Sequence, residues 1–287
     1  MKIFKPFLSV VLFFFVTASA WALLPPHFTD ELFDINPGTR SSRIILKYFE
    51  PVDRGFKVEM GKPTNNVLVV DFKDGRRSAC WEYDLKGNLK EKYELEYNNH
   101  GNLAIVRKKD KNQNAQIREE YFYVNPKDEN TLKEKRVYSS VDLTVLCNEL
   151  FLRDKRGRVS SIRHMDEGGK EKYSDNYTYN TEGLVESEIR LDPSGNKRSE
   201  TETAYDEDGR MISEIVYDSR GNTIAQSKYT YNVKGLPDHI VMTTPESTAE
   251  YYTIEYTYDE RGNWIQQIIY KGMGRVPEAI LVRLITY

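Results

Sequence analysis

Glycine recurs in this chain on an alternating schedule. Gly157, Gly169, Gly183, Gly195, Gly209, Gly221 and Gly235 are separated by 12 and 14 residues in turn. Upstream, Gly61, Gly75, Gly87 and Gly101 keep the same alternation, and Gln113 and Lys127 stand where the next two would fall. Downstream, Ser247 takes the place of a missing glycine, and Gly262 closes the series 27 residues beyond Gly235. The glycines sit in near-identical hexamers such as Tyr83-Asp-Leu-Lys-Gly87-Asn88, Tyr205-Asp-Glu-Asp-Gly209-Arg210, Tyr217-Asp-Ser-Arg-Gly221-Asn222 and Tyr258-Asp-Glu-Arg-Gly262-Asn263. Weaker copies surround Gly101, Gly183, Gly195 and Gly235. Each reads as a hairpin turn: the Asp or Asn caps a type I turn through its side chain, and the glycine three residues later supplies a positive φ. Two strands per 26 residues follow, with turns alternating between the two ends of one antiparallel meander. Strands of roughly seven to nine residues remain after the turns are subtracted.

Alternation between the turns has the period of a strand. Counting every second residue from each glycine places Met211/Ser213/Ile215/Tyr217, Val185/Ser187/Ile189/Leu191 and Trp264/Gln266/Ile268/Tyr270 on one face. The strands entering the turns add Tyr93/Leu95/Tyr97, Tyr121/Tyr123, Tyr173/Tyr177/Tyr179, Tyr229/Tyr231 and Tyr252/Ile254/Tyr256/Tyr258 to it. The other face reads Lys90/Lys92/Glu94/Glu96, Glu186/Glu188/Arg190, Arg198/Glu200/Glu202 and Gln226/Lys228/Thr230. An open sheet of about sixteen strands would leave its tyrosine face bare, and accumulated twist makes such a sheet curl. The expected fold is therefore all-β: a long antiparallel meander of hairpin repeats curled into a half-barrel, spiral or barrel with a Tyr-rich inner face. The charged outer face excludes an outer-membrane barrel, which needs an apolar belt.

Three segments organise the chain. Residues 1–22 read as a signal peptide: Lys2 and Lys5, the apolar run from Phe7 to Val16, then Ala18-Ser-Ala20-Trp-Ala22. The expected location is periplasmic or secreted, with no transmembrane span after cleavage. Residues 23–63 read as a terminal cap, with a short helix at Thr29–Asp34 and a hairpin around Pro51–Gly55. Residues 64–287 form the repeat domain, with an irregular stretch near 128–156 in which Val141 to Leu152 is apolar on both faces and reads as a strand buried on both sides or as the seam between an upstream and a downstream repeat block. With 41 Lys and Arg against 44 Asp and Glu, the net charge of −3 leaves no basic excess for nucleic acid. Two cysteines, Cys80 and Cys147, exclude a disulfide framework. Export invites a bridge between them, but register places Cys80 on the polar face and Cys147 on the inner face, five strands away, so both are expected free.

The recurring Tyr-Asp-x-x-Gly-Asn hexamer resembles the YD repeats of the Rhs family and of teneurin-type cell-surface proteins. The likeness covers roughly residues 70–270, and the close, Tyr258-Asp-Glu-Arg-Gly-Asn-Trp-Ile, resembles small exported bacterial YD-repeat proteins. It implies a curled sheet, and for function a carbohydrate or surface-binding role. The Asp-Pro self-cleavage signature of the large Rhs core is absent: Asp192-Pro193 sits in an ordinary turn.

Catalytic motifs are absent. No nucleophile elbow, zinc-protease, P-loop or dinucleotide pattern occurs, and His27, His100, His164 and His239 lack partners at metal-ligand spacing. Asp206-Glu-Asp208-Gly lacks the later glutamate of a calcium loop. No cofactor or metal is expected. Glu91, Glu119, Glu171 and Asp175 take the inner-face register, where paired carboxylates suit glycoside cleavage, or serve as partners for tyrosine hydroxyls. The Asn176-Tyr-Thr178 sequon falls inside a strand. Because buried tyrosines need partners for their hydroxyls, a Tyr-rich interior is partly wet and suits sugars, peptides or lipid-like molecules. The candidate ligand-binding residues are Tyr177, Tyr179, Tyr205, Tyr231, Tyr256, Tyr258 and Trp264. The leading function is a non-enzymatic exported binding or surface-interaction module. The alternatives are a structural envelope component that pairs through sheet edges, and a carboxylate-dependent hydrolase.

Overall fold

The turn is the unit from which the molecule is built. At Asp84 the Gly87 N–H donates to the Asp84 carbonyl at 3.0 Å, and the Asp84 N–H donates to the Asn88 carbonyl at 2.9 Å. Asp84 Oδ1 accepts from the amides of Lys86 and Asn88 at 2.9 and 2.8 Å. Those bonds, led by the Asn88 side chain, hold the carboxyl below its usual range. The same bonds recur at Asp206, Asp218 and Asp259. Gly87, Gly101, Gly183, Gly195, Gly209, Gly221, Gly235 and Gly262 all have φ between 76° and 89°. Gln113 keeps the phase with φ 63°. Gly61 does not mark a turn; it lies within a strand.

The structure, a computed structural model, describes residues 40–55 and 57–287. The leader, His27 and the helix expected at Thr29–Asp34 lie outside the described residues. Nineteen strands form one sheet: β1 Arg43–Asp53, β2 Val58–Pro63, β3 Val67–Lys73, β4 Arg76–Tyr83, β5 Leu89–Tyr97, β6 Leu103–Asp110, β7 Ala115–Tyr123, β8 Leu132–Ser139, β9 Val145–Arg153, β10 Val159–Met165, β11 Glu171–Tyr179, β12 Val185–Leu191, β13 Lys197–Tyr205, β14 Met211–Asp218, β15 Thr223–Tyr231, β16 Pro237–Thr244, β17 Ser247–Tyr258, β18 Trp264–Lys271 and β19 Val276–Thr286. Helix is confined to one 3-10 turn at Glu129–Thr131 among the described residues. From β3 to β19 each strand pairs antiparallel with the next, and β1 lies between β19 and β3, so eighteen strands close into a barrel. The hairpin read as part of a terminal cap therefore belongs to the wall. Only its far end, β1 from Phe49 onward with β2, projects as a two-stranded flap.

The sequence count misses one device. Beyond each turn, one residue of a strand has no partner. Tyr205 pairs with Met211, but Ala204 pairs with Ser213, leaving Ile212 as a bulge. Alternation flips there, so Met211 points inward with Tyr205, and Glu214 and Val216 follow it. Ser213, Ile215 and Tyr217 face out. The same slip follows Val185, turning Glu188 and Arg190 inward and Ser187, Ile189 and Leu191 outward. It follows Trp264, turning Gln267 and Ile269 inward. The expected polar set Glu186/Glu188/Arg190 is thus split between the two faces. A bulge at Ser78 likewise brings Cys80 inward, opposite Val70 and Tyr93, where it is fully buried. Cys80 and Cys147 share the inner face yet remain free thiols on β4 and β9. Bulges add right-handed coiling to a sheet, which a closing barrel requires.

Inside, one apolar cluster joins β1 and β3–β8 to β14–β19, with Ile44, Leu46, Val70, Cys80 and Leu281 almost wholly buried. Strands β9–β13 contribute no fully buried member. The stretch 128–156 is an ordinary hairpin, β8–β9, preceded by a longer loop between β7 and β8. Leu146 and Leu152 are exposed rather than buried because no layer covers the outer face of β9, and Val141 and Leu143 are exposed in the loop before it.

The turn geometry fixes the cost of two neighbouring substitutions. Gly209→Val forces a β-branched residue to φ 76°, and should cost about 1–3 kcal/mol. Glu207→Val, in the same turn with no such φ, should change stability by less than about 0.5 kcal/mol. Urea melts of the two variants measure the difference, and equal losses would refute the turn assignment.

Candidate functional site: the barrel interior and an outer groove

The aromatic residues singled out from the sequence divide into two groups. Tyr179, Tyr205, Tyr231 and Tyr256 lie at one rim, and their hydroxyls donate to the carbonyls of Val159, Val185, Met211 and Pro237. Tyr97 and Tyr123 do the same to Arg77 and Leu103, each at 2.8 Å. Where the repeat has Arg153 instead of tyrosine, its guanidinium donates to the Leu132 carbonyl at 2.9 Å. These bonds lace each strand end to the start of the strand before it. Cations cover several rings: Arg158 on Tyr179 at 4.2 Å, Arg210 on Tyr231 at 5.0 Å and Lys234 on Tyr258 at 4.0 Å. Trp264 is buried beneath Arg283 at 4.1 Å. Only Tyr177 stands apart, further down the inner wall of β11 opposite Glu188.

That inner wall carries a ladder of charges. Lys135 of β8 pairs with Glu149 of β9 at 2.9 Å, and Glu149 lies 3.8 Å from His164 of β10. His164 Nε2 is 3.0 Å from Asp175 of β11, and Asp175 pairs with Arg190 of β12 at 2.7 Å. The His164 ring stacks on Tyr173 at 4.1 Å. One group per strand thus steps across five strands. Burial works against the Lys135 ammonium, but Glu149 and Glu119 outweigh it and hold its pKa up. Burial also opposes the Asp175 carboxylate, yet His164 and Arg190 hold its pKa below the usual range. Beyond the ladder the balance reverses. Burial, reinforced by Asp175, raises the pKa of Glu188. Burial, reinforced by Glu188, pushes Glu214 up to about 8.

The four carboxylates read as an acid–base set do not converge. Glu91 is held by Lys108 at 2.7 Å and by the Tyr93 hydroxyl at 2.6 Å. Glu119 accepts from Tyr121, and Asp175 belongs to the ladder. Glu171 pairs across the hairpin with Met165, on the other face, because a bulge separates it from Tyr173. His100 lies in an exposed turn and His239 faces outward beside Asp238 at 3.1 Å. Among the described residues no group of three or more His, Cys, Asp or Glu side chains is placed to hold a metal. Sequence reasoning missed Lys135, Glu149, Arg190, Glu188 and Glu214 as inner residues. Two of them were counted onto the wrong face only because the bulge after Val185 is invisible in a strict period of two.

A groove of about 690 Å³ runs over β16–β18. Asn232 and Lys234 lie in the rim turn at one part of it, with Tyr256 and Tyr258, and His239, Glu255 and Arg275 complete its polar lining. Glu255 pairs with Arg275 and accepts from the Tyr270 hydroxyl at 2.9 Å. Asn232 donates to the Tyr258 hydroxyl at 3.2 Å.

No family pattern and no curated protein sequence matches the chain. Among solved structures it is similar to a porin-like protein from Bacteroides uniformis, with 11% identity and a TM-score of 0.41 over 85% of this chain and 96% of that one. A porin-like protein from Bacteroides vulgatus gives 9% identity and a TM-score of 0.37 over 87% and 99%. The toxin complex TcdB2-TccC3 gives 14% identity and a TM-score of 0.40 over 84% of this chain but 16% of that one. At these TM-scores the likenesses carry no argument about family or activity. No helix among the described residues is long and apolar enough to cross a membrane.

The opposed pKa shifts set a pH signature. The Glu214 carboxyl ionises near pH 4.5 in an unfolded chain and near 8 in the barrel. Keeping it protonated contributes stability that is full below the lower value and lost as pH rises to the upper one. Glu214→Gln should therefore gain on the wild type across that window, with the gain levelling off above it. Asp175→Asn should be destabilised at neutral pH and approach the wild type as acid protonates Asp175. Urea melts at stepped pH values check both, and a pH-independent Glu214→Gln difference would refute the assignment.

Proposed function

We propose that this chain is an exported, non-enzymatic binding module built from YD-type hairpin repeats, and that the groove over β16–β18 takes carbohydrate. The groove's lining carries the reading. On the outer face it brings together an amide, a carboxylate, an imidazole and a guanidinium, in a volume that suits a few sugar units. A sugar offers its hydroxyls to such planar polar groups. The inner carboxylates Glu91 and Asp175, by contrast, are bound into ion pairs that leave neither free for proton transfer. Sheet-edge pairing as a structural role has less support, since among the described strands only β2 is paired on one side.

A glycan array probed with the chain from residue 23 onward tests the groove. At least one glycan should bind, and Glu255→Ala and His239→Ala should each weaken it by about tenfold. Failure of every glycan, or binding indifferent to both substitutions, would overturn the reading. Export follows from Lys2, Lys5 and the apolar run to Val16. Mass spectrometry of exported material should find the chain beginning after Ala20 or Ala22, and an intact Met1 terminus would refute cleavage.

A further inference from the structure

Along β9 the outer wall changes character. Other strands present charged and hydroxyl side chains there, such as Lys92/Glu94/Glu96 on β5 and Gln226/Lys228/Thr230 on β15. On β9 the outward residues include Leu150 and Leu152, with Leu146 beside them at a bulge. Leu146 and Leu152 are 41% and 40% exposed. Phe122, two strands away on β7, is exposed on the same face beside the Arg136 guanidinium at 4.8 Å. Contiguous bare apolar surface of this kind marks an interaction face.

The charges flanking the stripe say what covers it. Leu150 pairs in register with Glu134 of β8 on one side and with Arg163 of β10 on the other. Arg163 is half exposed, and its ion pair with Glu171 is long at 3.7 Å. Glu134 accepts from Arg136 at 2.6 and 3.1 Å and from Asn148 at 3.2 Å, which leaves its carboxylate with capacity for one more donor. A two-fold axis lying over β9 and parallel to it exchanges the two sides of the stripe. It sets Glu134 of one copy over Arg163 of the other, twice, with the leucines meeting on the axis. One strand further out it brings Phe122 over Ser174 of β11, because Phe122 is level with Glu134 and Ser174 with Arg163. The small serine leaves room for the ring. The face thus supplies its own complement in charge and in shape, which is the property of an isologous interface. We infer that the outer face of β7–β11 is a docking surface for a second copy of this chain. Five strands at ~4.8 Å spacing make a face about 20 Å wide, so the two copies together bury on the order of 1,000 Å², the low end for a specific interface. A dimer of micromolar strength follows. The groove over β16–β18 lies on nearly the opposite side of the barrel, so it stays open in the dimer, and the inference stands whether or not that groove takes sugar.

Sedimentation velocity of the chain from residue 23 onward tests this. The wild type should pass from monomer to dimer between about 1 and 200 μM. Glu134→Arg and Arg163→Glu should each be monomeric over that range, since each sets like charges face to face. An equimolar mixture of the two should dimerise, because both cross-pairs then regain opposite charges. Leu152→Lys, at an exposed position, should also be monomeric and is independent of the Glu134–Arg136 pair. Far-UV circular dichroism of all three variants should match the wild type. A wild type monomeric throughout, a dimer that persists in Arg163→Glu and Leu152→Lys, or a mixture of the folded charge variants that stays monomeric would each overturn the inference. So would a monomeric chain that sediments with phosphatidylcholine vesicles and loses them in Leu152→Lys, which would assign the face to a membrane.

Discussion

Everything in this barrel depends on β1 accepting two neighbours. Residues Arg43–Phe49 pair with Ile280–Thr286 on one side, and Arg43–Leu46 pair with Leu68–Asp71 on the other. Remove that junction and the remaining strands form an open sheet with two bare edges and an uncovered aromatic face. With it, Ile44 and Leu46 become fully buried next to Val70 and Leu281. The junction joins opposite ends of the chain, so it forms at the highest loop-closure cost of any contact in the fold, and assembly of the meander ahead of it is the economical order.

Tyrosine recurs at one rim for a reason distinct from ligand binding. A ring there packs inward, while its hydroxyl reaches the one carbonyl that the bulged hairpin leaves within range, about twenty residues earlier. Phenylalanine would supply the ring and leave the carbonyl without its partner, at a cost of about 1 kcal/mol per position. Arg153 shows that the requirement is a donor on a long planar side chain, since its guanidinium makes the same connection. A feature that looks like an aromatic binding surface is thus largely the seam of the barrel.

The interior has two characters. Around β1, β3–β8 and β14–β19 it is an apolar core, and along β8–β12 it is a ladder of ionisable groups. Charges buried in pairs contribute little net stability, but each becomes expensive once its partner is lost. The ladder therefore fixes which strands lie beside one another more than it strengthens the barrel. Beyond it lie Glu188 and Glu214, two acids without a base of their own, whose pKa values burial raises.

The sequence by itself determined the turns, the strands between them and the meander order. Each rests on contacts within a few residues: the Asp206 carboxylate on its own turn amides, and Gly209 at a φ that L-residues resist. It also determined which strand ends carry tyrosine. The interior was legible only in part. Tyr93, Tyr121 and Tyr252 face inward as their spacing implies, while Cys80, Glu188, Arg190 and Glu214 do so only because unpaired residues such as Ser78 and Ile212 shift the alternation. A bulge is a property of two paired strands and leaves no mark in the period of one. Closure through β1, the ladder from Lys135 to Arg190 and the isolation of Glu214 were decided by the tertiary structure alone, because each depends on residues far apart in the chain meeting across strands.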